Sequence, residues 1–240
     1  MNSAIHITWA DLARIKKAAK AAEVLPDLTY MQRLDALAAS EFGVRHFHEL
    51  QKRHEQQVAA HVEMRGGAHF CHYCDFTFSD FDKADRKQHM DLHQCFEEAE
   101  SVMGFHPLGR KERESLKRAG HEQLMSEDGV TRRQGALQVI LAHYDRSLMR
   151  AIEGNRWARH PYFLEYLPGA LAVSTIWNAD VLQRLVREFG ARPGVIAQGD
   201  TDWSSDVARQ SGSDVSKLES MTMRQGLIAA WKAFALLPAV

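Results

Sequence analysis

Between Cys71 and His93 the chain reads CHYCDFTFSDFDKADRKQHMDLH, a C-x2-C-x14-H-x3-H spacing. Cysteines separated by two residues suit a tight turn, and histidines separated by three share one face of a helix. Brought together, two thiolates and two imidazoles form the tetrahedral donor set that zinc prefers. Four protein ligands leave no open coordination position, so the expected role of the ion is structural rather than catalytic. A stretch this short has little apolar surface to bury, and in comparable peptides zinc supplies an apparent ~10–16 kcal/mol in place of a core. The expected ligands are Cys71, Cys74, His89 and His93. Cys95 is an alternative to His93, and His69 and His72 are more distant candidates. Only three cysteines occur in the 240 residues, all close to histidines, which in a reducing compartment favours metal over disulfide.

The stretch resembles the Cys2His2 zinc-finger family. Phe70, directly before the first cysteine, and Phe78, four residues after the second, stand where that family carries core aromatics, with Phe76 and Phe81 as supplements. Two departures matter. The gap between Cys74 and His89 is two residues longer than usual, and Arg86 stands where the family has an apolar residue, so Phe81 or Ala84 is expected to fill the core. The resemblance implies a small ββα fold at 66–97. It also places Asp82, Ala84, Asp85 and Gln88 at the helix positions that meet base edges in the family. Two carboxylates there oppose the approach of phosphates, and from Cys71 to Glu100 eight acidic side chains face three basic ones. A solitary finger also reads only about three base pairs. The expectation is a finger that braces its neighbours or meets a protein.

Before the finger, residues 1–65 read as an N-terminal helical unit. Leu12, Ile15, Ala18, Ala19 and Ala22 recur at helical spacing between Trp9 and Val24. Thr29 can cap a second helix through Leu34, Leu37 and Ala38 that stops at Gly43, and a third is expected from Val44 to Val62. Gly66-Gly67 reads as a hinge. The run Thr29, Gln32, Leu34, Leu37 and Ala38, followed by Phe42, Gly43, Val44, Phe47 and Leu50, resembles a short helical module of accessory proteins from bacterial plasmids and integrative elements, sometimes labelled glyoxalase-like. That resemblance implies a bacterial mobile element as the source. Tested as a helix-turn-helix, the same segment would need apolar residues at Glu49 and Lys52, which it lacks.

Residues 98–130 read as a polar connector around one short helix, and 131–240 as a larger helical C-terminal domain. Its stripes are Leu137, Ile140, Leu141, Tyr144, Leu148 and Ile152, then Val181, Leu182, Leu185, Val186 and Phe189 between Asn178 or Asp180 and Gly190. Leu227, Ile228, Trp231, Phe234, Ala235 and Leu237 are expected to close the chain as a buried helix, and VIA within GARPGVIAQGDTDW as a short extended piece. The fold class is therefore mainly α. A net charge of −1 demands neither an acidic nor a basic partner overall, and no apolar run reaches the roughly 20 residues of a membrane span, which places the chain in the bacterial cytoplasm with no membrane contact.

A protein partner is expected. DNA would have to use Arg14, Lys16, Lys17 and Lys20, or the cluster Arg110, Lys111, Arg113, Lys117 and Arg118. No phosphate loop, nucleophile elbow or dinucleotide fingerprint is present, and neither HEQQV at His54 nor HEQLM at His121 carries the second histidine of a zincin helix. An enzyme would have to draw on Trp157, His160, Tyr162 and Glu165, with His143 and Asp145 near in sequence.

Overall fold

Thr8 opens the first helix through a reciprocal cap: its side chain accepts from Asp11 N, while its own N–H is taken by Asp11 Oδ2 at 3.0 Å. In the computed structural model, which describes residues 6–21, 25–173, 178–193 and 214–237, this helix, α1, spans Trp9–Lys20. Helix α2 spans Tyr30–Phe42. It begins with a second capping box, Thr29 with Gln32, and ends at Gly43, whose φ of 65° is the left-handed turn that glycine adopts without strain. Helix α3, Phe47–Ala59, follows. Leu12, Ile15 and Ala19 of α1, Leu34, Ala38 and Phe42 of α2, and Val44, Phe47 and Leu50 form one buried cluster, the three-helix packing that the periodicity predicts.

Helix α3 stops short of the expected Val62. Residues Val62–Arg65 form strand β1, which pairs antiparallel with β2, Ala68–Cys71, in the register Val62 with Cys71 and Arg65 with Ala68. Gly66 and Gly67, at φ 56° and 87°, are therefore the two-residue turn of a hairpin rather than a hinge. Strand β3, Thr77–Phe78, completes a sheet of order β1-β2-β3, and helix α4, Lys83–Met103, follows. The core substitution expected at Phe81 or Ala84 does not occur. Phe81 is 96% exposed and Ala84 is exposed too; of the two aromatics expected in the core, Phe70 is half-buried and Phe78 is buried, with its ring stacked 4.2 Å from that of His89.

The chain divides into two compact units, Met1–Glu98 and Ala99–Val240, so the N-terminal helices and the finger belong to one unit. In the second unit the expected short connector helix is a full core helix, α5, Arg110–Leu124, which packs against α6, Gly129–Glu153. The two helices meet through glycine. A Cβ built on Gly120 would lie 2.7 Å from the Gly135 carbonyl oxygen, and one on Gly135 would lie 2.5 Å from the Gly120 carbonyl oxygen. The α6 stripe is fully buried around Tyr144, whose ring meets those of Phe163, Tyr166 and His160 edge-on at 5.2–5.4 Å.

Helix α7 is Phe163–Val173, α8 is Ala179–Phe189 between Asn178 and Gly190, and α9 is Asp214–Ala235. The fold is mainly α. Helix α9 is less buried than its apolar content predicts: Leu227 and Trp231 face inward, Ala235 is exposed, and Leu237, beyond the last turn, is 67% exposed. The VIA segment and residues 22–24 lie outside the described residues. No helix among the described residues is long and apolar enough to cross a membrane.

Candidate metal centre

The hairpin and helix α4 bring three of the four expected ligands into one cluster. Cys71 ends β2, and its N–H donates to Phe76 O at 2.9 Å, which folds the intervening knuckle back on itself. Within that knuckle Asp75 takes a positive φ of 55°, and Cys74 is carried to the same side as Cys71. The metal-binding atoms of Cys71, Cys74 and His89 all lie within 4.8 Å of one another, and all three residues are buried. Ligands around a tetrahedral zinc stand roughly 3.3–3.8 Å apart, which this spacing accommodates. Cys71, Cys74 and His89 could therefore form a metal-binding group.

His93 stands one helical turn beyond His89 and is 2% exposed. Its ring stacks on Tyr73 at 4.3 Å, as that of His89 stacks on Phe78, so aromatic faces fix both imidazoles. The Nε2 atoms of both histidines, and Nδ1 of His93 as well, are buried without a hydrogen-bond partner. Buried polar atoms of this kind are costly unless something satisfies them, and an ion held between two sulfurs and two imidazoles would satisfy both Nε2 atoms. The residues present thus fit a divalent metal.

The electrostatics of the cluster agree. The Cys71 thiol is held far below the ordinary thiol range, chiefly by a hydrogen bond from Cys74 and also by His89, His93 and the Cys74 N–H, all acting against burial. Cys74 is pushed up by the same contact and by burial. One sulfur is thus prepared as a thiolate, the form that binds metal. Burial disfavours the charged form of His93, but the contacts with Cys71 and Glu97 outweigh it and raise its pKa.

Three other sequence candidates are used elsewhere. Cys95 is half-buried, outside the cluster, and its thiol is raised by burial and by the charges of Glu98 and Asp91. His72 Nε2 lies 2.9 Å from Glu63 Oε2, and the His69 ring stacks against Phe78 at 5.4 Å. The residue that sequence reasoning missed is Glu97, which is 8% exposed and lies one turn after His93. Its oxygens meet His54 Nε2 at 3.1 Å and accept from the Trp9 N–H at 2.8 Å, and His93 Nδ1 stands 3.3 Å from Oε1 without the alignment of a hydrogen bond. Burial works against its negative charge, yet the neighbouring His54, His93 and Trp9 N–H bring its pKa down to about 2. The i to i+4 spacing from His93 was the available signal.

The helix positions that would face bases are engaged within the finger. Asp82 Oδ1 accepts from Ala84 N at 2.7 Å and so caps the start of α4, while Asp85 Oδ2 accepts from Ser79 N at 3.1 Å and ties the helix to the segment before it. Beside His89, an open cleft of about 390 Å³ is lined by Val58, Val62, Phe78, Met90, Arg86 and Glu55, among others.

The basic clusters are kept in part. Arg14 pairs with Glu41 and Asp11, and the Lys16 ammonium lies 5.7 Å from the centre of the Phe47 ring. Arg113 belongs to the core, not to a surface patch: it is 8% exposed and donates to Leu108 O at 3.0 Å. Arg110, Lys111 and Arg118 are exposed, as are Lys17 and Lys20, and Lys117 is half-buried. The residues considered for catalysis also take separate partners. His160 Nε2 meets Ser147 Oγ at 3.0 Å, Glu165 accepts from Tyr162 N at 2.8 Å, and Asp145 binds Arg224 and Leu108 N. Comparisons with family models, with curated proteins and with solved structures return no match.

Proposed function

We propose that the chain is a non-enzymatic protein-interaction module of a bacterial mobile element, held in shape by structural zinc on Cys71, Cys74, His89 and His93. The provenance follows from the N-terminal resemblance alone. The two sulfurs and the two partnerless Nε2 atoms support zinc as the ion, since thiolate and imidazole together favour it. The observation that carries the choice of partner is that Asp82 and Asp85 are committed within the finger, the first to capping α4 and the second to Ser79 N. The face that would read bases presents carboxylates in use, next to an exposed Phe81 and not far in sequence from Met64, 62% exposed on β1.

The test pairs metal analysis with titration. The purified chain should hold one zinc, and duplex DNA at physiological salt should bind no tighter than the roughly 10⁻⁴–10⁻⁶ M of non-specific contact. Changing Phe81 to Ser should release a co-purifying protein without lowering the zinc content. A tight, steeply salt-dependent DNA complex abolished by reversing Arg110 and Lys111 would replace this reading with that of a DNA-binding regulator.

A further inference from the structure

Glu97 joins three elements of the first unit through one buried carboxylate. It lies on the same face of α4 as His93. Thr8 caps α1 with Asp11, which leaves the Trp9 N–H, at the first residue of that helix, free of any intrahelical acceptor; Glu97 Oε2 takes it at 2.8 Å. From α3, the buried His54 sends Nε2 to Oε1 at 3.1 Å and to Oε2 at 3.4 Å, and its ring lies 5.3 Å from that of Trp9. On the third side, His93 Nδ1 stands 3.3 Å from Oε1.

With a metal on Nε2, His93 would carry its proton on Nδ1, 3.3 Å from Glu97 Oε1, where a carboxylate can accept it and hold the imidazole in the ligating orientation. In metal sites this outer partner raises the basicity of the ligand, and its loss typically weakens binding by roughly 10–100-fold.

We propose that Glu97 is the positioning residue of the metal centre, and that through it metal occupancy is linked to the N-terminal helices α1 and α3. The inference rests on the reading of His93 as a metal ligand. It goes further in assigning the N-terminal unit a part in metal affinity, and linkage makes the effect reciprocal: whatever loosens α1 from Glu97 weakens the ion, and loss of the ion loosens α1.

The full-length chain, titrated with Co²⁺ against a chelating competitor, tests it. The wild type should bind one Co²⁺ with thiolate charge-transfer absorption. Glu97→Gln, which keeps the shape of the side chain, should bind roughly 10–100-fold more weakly and shift the ligand-field bands, a spectral change that general destabilisation does not produce. Hydrogen exchange on the wild type provides a measurement that needs no variant to fold: the Trp9 amide should exchange faster once the metal is removed. Unchanged affinity and bands in Glu97→Gln, or a Trp9 amide indifferent to metal, overturns the proposal while the metal site stands. No Co²⁺ bound by the wild type overturns the metal site itself, and this proposal with it.

Discussion

Each unit of the chain buries a carboxylate, and the two are satisfied by different chemistry. In the second unit Asp145, fully buried, accepts from Arg224 Nη2 at 2.8 Å and from Leu108 N at 2.9 Å, while Arg224 also donates to His106 O at 2.7 Å. In the first, Glu97 accepts from a backbone N–H and faces two imidazoles. A guanidinium keeps its charge at any pH a protein survives, whereas an imidazole changes charge near neutrality and gives up its proton to a metal. The Asp145 pair is a permanent fixture inside a large apolar core. With a metal bound as proposed, the Glu97 network would respond to its removal, and the finger around it has few apolar side chains to fall back on.

The largest test of this contrast is removal of the metal. With zinc bound as proposed, chelation or Cys71→Ser should remove on the order of 10 kcal/mol of apparent stabilisation from the finger. Limited proteolysis should then cut between β1 and α4 while α5 and α6 stay protected. Equal sensitivity of both units would erase the distinction.

Next comes Asp145→Ala, which strands a buried guanidinium and should destabilise the second unit by about 3–5 kcal/mol in denaturant unfolding, with no change in metal content. A loss below about 1 kcal/mol would mean that water reaches Arg224.

The smallest effect is on pH. The Glu97 pKa is lower in the fold, about 2, than its ordinary 4.5. Its contribution is therefore present above about pH 4.5 and lost as pH falls towards 2, amounting to about 3 kcal/mol. His93 has the opposite sign: its raised pKa favours the fold below 6.5, and that share disappears as pH rises through the folded value. Cys71, whose thiol is held far below its ordinary range, adds a share that grows as pH rises towards 9, so the Glu97 share is read on the acid side. The metal-free first unit should lose stability as pH falls from 4.5 towards 2, and Glu97→Gln should lose less. A Glu97→Gln variant that loses as much stability as the wild type over that acid range would contradict this account of the network.

The helical framework was legible wherever periodicity coincided with a stop signal. Thr29 and Gly43 bound α2, Asn178 and Gly190 bound α8, and the stripe from Leu137 to Ile152 is the core of α6. Spacing alone also singled out Cys71, Cys74 and His89. Strand β1 was not legible because four residues following a helix carry no period of their own; only the Gly66-Gly67 pair announced a hairpin. Arg113 counted as surface because charge is usually solvated, yet Leu108 O and the Met149 sulfur give it a place inside. Glu97 escaped notice because two of its partners, Trp9 and His54, lie 88 and 43 residues away in sequence, and no local pattern encodes them.

The glycine crossing of α5 and α6 has a mechanical consequence. With Gly120 and Gly135 each resting on the other's carbonyl oxygen, the helices interlock like a mortise joint. Sliding either along its axis would drive a neighbouring side chain into backbone. Shear between packed helices, a common way for proteins to change shape, is blocked at this joint, so the pair is suited to serve as a stiff strut that transmits load unchanged.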